Sequence, residues 1–390
     1  MHGRSPSLCS SWADWAQCPI YERKSTRMTE AATTTDDLRI SKIRPLDPPA
    51  GLIGRLPVSE QAAELVSKAR KDAEMILAGR DDRLLAIVGP CSIHDEKAAL
   101  EYGELLSKAA RRHEKDLHLL MRVYFEKPRT TVGWKGYVND PALDGTCEIN
   151  EGLGLARQLL LELAARGIPA GTEFLDTITP QYIADLVAWG AIGARTTESQ
   201  IHRQLASGLS MPVGFKNGTD GNIEIARDAI GAAVGSHHFL SVTKEGVAAI
   251  VTTSGNPSCH VILRGASSGP NHHAEAVQQV LGQLRASDLP PYLMVDCSHG
   301  NSLKDHDRQP LVAREVAAQV ASGETGIAGV MIESHLVAGA QKIATPDCLV
   351  YGQSITDACV DWATTEGMLE GLADAVRSRR ALNRDQIDDC

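Results

Sequence analysis

The sequence predicts an α/β fold, a (β/α)8 TIM barrel preceded by an N-terminal arm and helix and carrying a β-hairpin inserted between its fifth and sixth strands. Three observations carry this expectation. From residue 84 onward, short apolar runs alternate with amphipathic helical ones, the pattern of parallel strands joined by crossover helices. The apolar runs number eight: LLAIV, LHLLM, IPAGTEF, AIGA, MPVGF, HVIL, YLMV and GVMI. Each ends at or next to a residue that apolar strands rarely carry, namely Cys91, Arg122, Glu173, Arg195, Lys216, Arg264, His299 and Glu333. In a closed barrel all C-terminal strand ends meet around one mouth, where this fold builds its active sites. An open doubly wound sheet can also hold eight strands, but no Gly-rich dinucleotide fingerprint follows the first one.

Ahead of the barrel, residues 1–33 are polar and aperiodic and read as a disordered extension or a misassigned start, with Met28 opening a more ordinary beginning. Residues 34–83 read as an arm broken by Pro and Gly, then an amphipathic helix with Ser59 as N-cap and Gly79 near its end. The catalytic barrel is expected over 84–380 and a C-terminal tail over 381–390. Asn150 precedes one crossover helix; Thr179 and Pro180 open another, TPQYIADLVAWG, with Gly190 at its expected end. Two intervals exceed a bare crossover. EKPRTTVGWKGYVNDPALDGTCEI reads as an ordered loop over the mouth, and residues 236–256 as two alternating runs around a Lys-Glu-Gly turn, the inserted hairpin.

Composition excludes several classes. A net charge of −10 gives no broad footprint for nucleic acid, and no apolar run nears the ~20 residues that cross a bilayer. Nine scattered cysteines and no apolar leader point to a reducing cytoplasm. Against this acidic background the mouth collects Arg122, Lys127, Arg129, Arg195, Lys216 and Arg264, which repel one another unless anions lie between them. A substrate with more than one anionic group fits; a Schiff base at Lys216, favoured by its cationic neighbours, is the alternative. Cys91, His299, Glu333 and Asp357 come from strands one, seven and eight and the segment after eight, which adjoin in a closed barrel. Their mixed S, N and O donors suit a divalent transition ion better than Mg²⁺ or Ca²⁺. His94, His202, His335 and the His237/His238 pair are weaker candidates for general bases, and Asp296 and Glu173 are placed to orient a lysine or water.

These residues sit in long motifs: GPCSIHD, MRVYFEKPRTTVGWKGYVNDP, the stretch from GTEFLDTITP to GFKNGTDG, VILRG, DCSHGNS, GVMIESHLVAG and YGQSITDAC. Over roughly residues 35 to 380 they closely resemble type I 3-deoxy-D-arabino-heptulosonate 7-phosphate (DAHP) synthases. The resemblance implies a metal-dependent transferase that condenses phosphoenolpyruvate with D-erythrose 4-phosphate and water, the first step of the shikimate pathway. It implies Cys91, His299, Glu333 and Asp357 as ligands of one divalent ion (Mn²⁺, Fe²⁺, Co²⁺ or Zn²⁺). Phosphoenolpyruvate would meet Arg122, Lys127, Glu173, Arg195, Lys216 and Arg264, and the sugar phosphate Arg129 and Thr130. Lys127 is the expected proton carrier, and Cys91 and His299 complete the catalytic set.

The resemblance also implies feedback inhibition by an aromatic amino acid, bound near the hairpin and the arm of a neighbouring subunit in a homodimer or homotetramer. The matching positions are Asp36, Asp37, Pro180, Gln181, Leu205, Leu209, Ser210, Phe239 and Ser241; Ser241 points to phenylalanine. The runner-up enzyme is the related 3-deoxy-D-manno-octulosonate 8-phosphate synthase. A non-catalytic barrel that only senses an aromatic amino acid is the rival from another class.

Overall fold

The computed structural model describes residues 35–129, 131–343 and 346–388, so the reading of residues 1–33 and the role expected for Thr130 lie outside the described residues. The chain divides into two units at Pro45/Leu46. Within the first unit, residues 35–45 are exposed and carry a turn in which Asp37 adopts φ 57° and the Ile40 amide donates to Asp37 O at 3.1 Å.

The second unit is a closed eight-stranded parallel barrel. Its strands are β1 (Leu84–Gly89), β2 (Leu117–Arg122), β3 (Ala170–Glu173), β4 (Val187–Ile192), β5 (Val213–Lys216), then β8 (Cys259–Leu263), β9 (Leu293–Asp296) and β10 (Ile327–Glu333), each pairing with the next and β10 closing on β1. Between β5 and β8 stands the antiparallel hairpin β6 (His238–Val242) and β7 (Ala248–Thr252), and after β10 a small pair, β11 (Val337–Ala340) and β12 (Gln353–Ser354). The crossover helices are α3 (Glu96–Arg112), α4 (Ile149–Ala165), α5 (Pro180–Ile183), α6 (Gln200–Gly208), α7 (Glu224–Val234), α8 (Ala274–Ala286), α9 (Gln309–Ala321) and α10 (Trp362–Asp388), the last running on into the segment read as a tail.

Two short-range rules explain the start of this unit. α1 (Pro49–Arg55) has proline in its first turn, where the missing N–H costs nothing. α2 (Glu60–Leu77) starts at Ser59, whose hydroxyl accepts from the Ala62 amide at 3.2 Å. α2 packs against α4, and its apolar stripe closes the N-terminal end of the barrel. Ala69, Ala73, Ile76 and Leu77 join the interior layers Leu85, Ile87, Leu120, Trp189, Ile262, Met294 and Met331 in one buried cluster. Arg70 ties the helix to the base of β4 by donating to Ala184 O and Val187 O. With that end plugged, only the C-terminal mouth is left for chemistry.

One element departs from the sequence expectation. The helix read over TPQYIADLVAWG is only α5 and a single 3-10 turn, Ala184–Leu186; the chain then becomes β4, and Gly190 is a mid-strand residue, not a helix end. Over so few residues a helical period and a buried strand look alike. Burial decides: Val187, Trp189 and Ile192 are favourable strand residues, and Trp189 fills the barrel interior with its indole N–H donating to His260 Nε2 at 3.3 Å. Burial pushes His260 down to about 4, so at neutral pH it is an uncharged acceptor.

The hairpin stands outside the barrel wall. Its turn is closed by the Thr243 amide donating to Val247 O, and its tip is pinned by the Ala50 amide donating to Lys244 O at 2.6 Å and by Lys244 Nζ donating to Gln181 O at 2.5 Å. Because Trp189 occupies a closed interior that cannot collapse around a void, Trp189→Ala should cost about 3–5 kcal/mol, read from urea denaturation.

Candidate active site

Four elements bring the sulfur, nitrogen and oxygen donors together at the mouth. Cys91 follows β1 and is fully buried; its Sγ lies 3.4 Å from Asp357 Oδ2. Glu333, the last residue of β10, joins them, so that one donor atom from each of the three lies within 4.8 Å of the others. His299 Nε2 reaches Glu333 Oε1 at 3.7 Å. Its imidazole is aimed by two constraints. The residue sits at φ 55°, a backbone state that costs a non-glycine residue energy, and its Nδ1 lies 2.8 Å from Asp296 Oδ2. Ser298 Oγ also lies 2.7 Å from Nδ1, so that nitrogen is engaged on the Asp296 side and Nε2 is left to face the other donors.

The donor set fits a divalent transition ion. Burial, and then the nearby Glu333 carboxylate, pushes the Cys91 thiol up to about 11, a crowding of anionic groups that a bound dication relieves. Thiol, imidazole and two carboxylates are the ligand types of such ions. Lys127 borders the cluster: its Nζ donates to Cys91 Sγ at 3.0 Å and to Cys91 O at 3.2 Å.

The cations line one cleft of about 340 Å³ with Glu173, His299, Glu333 and Asp357. Arg122 is buried, with its guanidinium 3.4 Å over the Tyr124 ring and Nη2 donating to Glu333 Oε1 at 2.7 Å. Burial opposes its charge, but Tyr124, Glu333 and other nearby groups outweigh that and raise its pKa. Lys216 is committed to Asp296, 3.0 Å away. Arg129, Arg195 and Arg264 also line the cleft, and among the described residues none of them has an ion-pair partner. Arg264 is held below its ordinary pKa by burial, with Arg195 opposing its charge further. Three such guanidiniums in one cleft make it strongly cationic, the chemistry suited to anions.

Two glycines make the cleft possible. A side chain on Gly193 would meet Glu173 Oε1 at 2.2 Å. Gly265, at φ 73°, lets the loop after β8 lie against Gly300, where a Cβ would meet backbone at 2.3 Å.

Several residues escaped the sequence reading. Gln309 opens α9 and brackets the Glu333 backbone, its Nε2 donating to Glu333 O and its Oε1 accepting from Glu333 N, both at 2.9 Å. Ser298 donates to Asp296 Oδ1 at 2.6 Å. Lys304 and His306 also line the cleft. The polar run SHGNSLKDHDRQ was the available signal, but nothing in it marks which side chains turn inward. Conversely, none of the weaker histidine candidates lines the cleft. His202 bonds Ser199 and Leu175 O, His237 bonds Ala232 O, His238 bonds Thr252, and His94 packs edge-on against the buried His335.

The positions expected to meet an effector, within the second unit, are spread around the hairpin. Pro180 and Gln181 open α5 beneath the hairpin tip, and Leu205 lies on α6, with Leu209 and Ser210 just after it. Phe239 and Ser241 are half-buried on β6, and Ser207 Oγ meets Thr253 Oγ1 at 2.7 Å beside the hairpin base. Asp36 and Asp37 belong to the first unit.

Glu126, next to Lys127, is buried and accepts from the Asp176 amide at 3.1 Å, holding the loops after β2 and β3 together. Burial, with Asp176 adding to it, pushes this carboxyl up to about 8. A folded-state pKa raised above 4.5 means the fold binds the extra proton, so this contribution is full below about 4.5 and fades as pH rises through about 8. Glu126→Gln should flatten the pH dependence of urea stability across that window by a few kcal/mol at most.

Comparison with known proteins agrees with this geometry. The family model described as the DAHP synthetase I family matches residues 56–370. The Phe-sensitive phospho-2-dehydro-3-deoxyheptonate aldolase of Escherichia coli is 56% identical over 345 residues, covering 88% of this chain and 98% of that protein. A Trp-sensitive enzyme of the same name from Enterobacter agglomerans is also 56% identical over 345 residues, covering 88% of this chain and 99% of that one. The solved structure of phospho-2-dehydro-3-deoxyheptonate aldolase from Francisella tularensis superposes with a TM-score of 0.86 at 52% identity, covering 87% of this chain and 99% of that one. Matched along most of its length by relatives sharing over half their residues, the chain belongs to the DAHP synthetase I family.

Proposed function

We propose that this chain is a DAHP synthase that joins phosphoenolpyruvate to D-erythrose 4-phosphate with uptake of water and release of phosphate, at the cleft that holds Arg122, Lys127, Glu173, Lys216 and Arg264. The observation that carries the reading is the pairing, in one cleft, of unpartnered guanidiniums with a thiol, imidazole and carboxylate donor set. Arg195 and Arg264 bind the phosphate of phosphoenolpyruvate, and Arg122 and Lys216, each already facing a buried carboxylate, bound the carboxylate end. Arg129 takes the sugar phosphate. Cys91, His299, Glu333 and Asp357 would hold a divalent ion, which when bound would supply Lewis acidity toward the sugar aldehyde. Carbon 3 of phosphoenolpyruvate forms the new bond to the aldehyde carbon. Lys127, beside the donor cluster, delivers a proton to the oxygen that becomes hydroxyl. Water positioned by Glu173 adds at carbon 2, and phosphate leaves as the ketone forms.

The same reading extends to regulation and assembly. An aromatic amino acid binds beside the hairpin, and Ser241 on β6 favours phenylalanine; the Phe- and Trp-sensitive relatives are equally similar in sequence, so that residue carries the choice. Leu240 and Ile250, paired across the hairpin, are 86% and 76% exposed and suit burial against a second copy in a homodimer or homotetramer. No helix among the described residues is long and apolar enough to cross a membrane, and Cys91, Cys259, Cys297 and Cys359 are buried thiols, which fits a cytoplasmic enzyme.

Phosphoenolpyruvate loss should occur with erythrose 4-phosphate, stop on chelation and return with Mn²⁺; consumption only with arabinose 5-phosphate, or none after Mn²⁺, would overturn the assignment. Cys91→Ser should lose the metal-restored rate while circular dichroism stays unchanged. Calorimetry should show phenylalanine binding more tightly than tyrosine or tryptophan, and Ser241→Gly should reduce that preference.

A further inference from the structure

Away from the mouth, the loop between β8 and α8 carries two consecutive histidines, and α9 sets a carboxylate opposite them. His272 Nε2 and His273 Nδ1 each lie 3.0 Å from Glu315 Oε2, and the two rings stand 4.2 Å apart. One donor atom from each residue lies within 4.8 Å of the others. None of the three lines the catalytic cleft, and the reaction does not use them. We propose that His272, His273 and Glu315 form a second metal site, taking a divalent transition ion of the Zn²⁺, Co²⁺, Ni²⁺ or Cu²⁺ class through two imidazole nitrogens and a carboxylate oxygen.

Geometry and chemistry both favour an ion over a plain histidine–carboxylate contact. Bonds of about 2.0–2.1 Å to a tetrahedral centre set ligand atoms about 3.3 Å apart, so the observed nitrogen–oxygen separations need little adjustment. An ion at the centre of the three would engage both imidazole nitrogens and the carboxylate oxygen at once. Two nitrogen donors also select against Mg²⁺ and Ca²⁺. His272 is only 3% exposed, so the buried surroundings hold its imidazole beside Glu315.

The ligands are already held in place. Gln319 Nε2 donates to His272 O at 2.9 Å, fixing the loop to α9, and the preceding Asn271 donates its amide to Asn301 Oδ1 at 2.8 Å. His273 and Glu315 are half-exposed, which gives the ion a way in and leaves its remaining positions to water. His273 stands at the N-cap of α8, where the helix dipole disfavours a cation; Glu315, with Glu275 in the first turn, supplies the offsetting negative charge. An ion here clamps the loop after β8 to α9. Asn271 in that loop also accepts from the Gly265 amide and donates to Asn217, which in turn accepts from the Arg264 amide, so the clamp acts on the backbone that carries a cleft arginine.

Cobalt titration of the whole protein separates this site from the cleft, because only the cleft has a thiolate. Metal analysis after dialysis against Co²⁺ should give about two ions per chain, one with a sulfur-to-cobalt charge-transfer band and one with ligand-field bands alone. His273→Asn, and Glu315→Gln as an independent exposed variant, should each remove the ion without charge transfer and keep the other. Cys91→Ser should remove the charge-transfer band and keep the ligand-field ion. If the wild-type chain binds only the charge-transfer ion, or if both exposed variants retain both ions, the proposal is overturned. Loss of the charge-transfer ion alone would instead count against the metal reading of the cleft and leave this one standing.

Discussion

The mouth of this barrel depends on a chain of buried charges that no member can leave. Arg122 on β2 pairs with Glu333 on β10, Glu333 faces His299, His299 faces Asp296 on β9, and Asp296 pairs with Lys216 on β5. An unpaired ion this deep would cost several kcal/mol, so Glu333 fixes Arg122, Asp296 fixes Lys216, and His299 spans the two carboxylates. Asp296 is the clearest case. It is fully buried, yet His299 and Lys216 hold it well below its ordinary pKa against the opposing effect of burial, and Ser298 occupies its other oxygen. Four strand ends are thereby set in register by electrostatics as well as by the backbone ladder.

This chain also explains why the site was largely legible in sequence and where it was not. A charged residue closing an apolar strand has little reason to be there unless it is paired or functional, so Arg122, Lys216, Glu333 and Arg264 could be picked out one by one from their positions. The barrel followed from the same eight strand ends. What sequence position cannot convey is which groups are partnered. Arg122 and Lys216 look no different from Arg195 and Arg264 in the sequence, yet the first two are neutralised within the protein and the last two are not. Gln309 was invisible for a related reason: its role is to substitute for a missing strand neighbour by bonding the Glu333 backbone, and a helix-opening glutamine carries no trace of that.

The error at β4 has a physical origin of the same type. YIADLVAW satisfies a helical period, and local preference gives no decision between helix and strand over so short a stretch. The outcome is set by packing on both faces of the strand: the barrel interior takes the large Trp189, and the outer face needs a small residue at Gly190, where a Cβ would press on Phe174 at 3.0 Å. Tertiary packing overrode the local pattern. The hairpin shows the opposite balance, since its alternation and its Lys-Glu-Gly turn specify it with little help from the barrel.

The two halves of the cleft are linked through shared atoms. Lys127 donates to Cys91 Sγ, and Arg122 donates to Glu333 Oε1, so a cation cradle residue touches each of two residues in the donor cluster. A dication entering that cluster draws negative charge away from both Lys127 and Arg122, leaving them freer to attract a substrate anion. An anion bound by Arg122 and Lys127 in turn lowers the positive potential that opposes the dication. If the cleft binds the ion and the anion as proposed, each binding event would therefore strengthen the other, by linkage through Coulomb terms in a site of reduced dielectric. On the proposed assignment, the full charge complement of the cleft would be assembled only with ion and anionic substrate both bound.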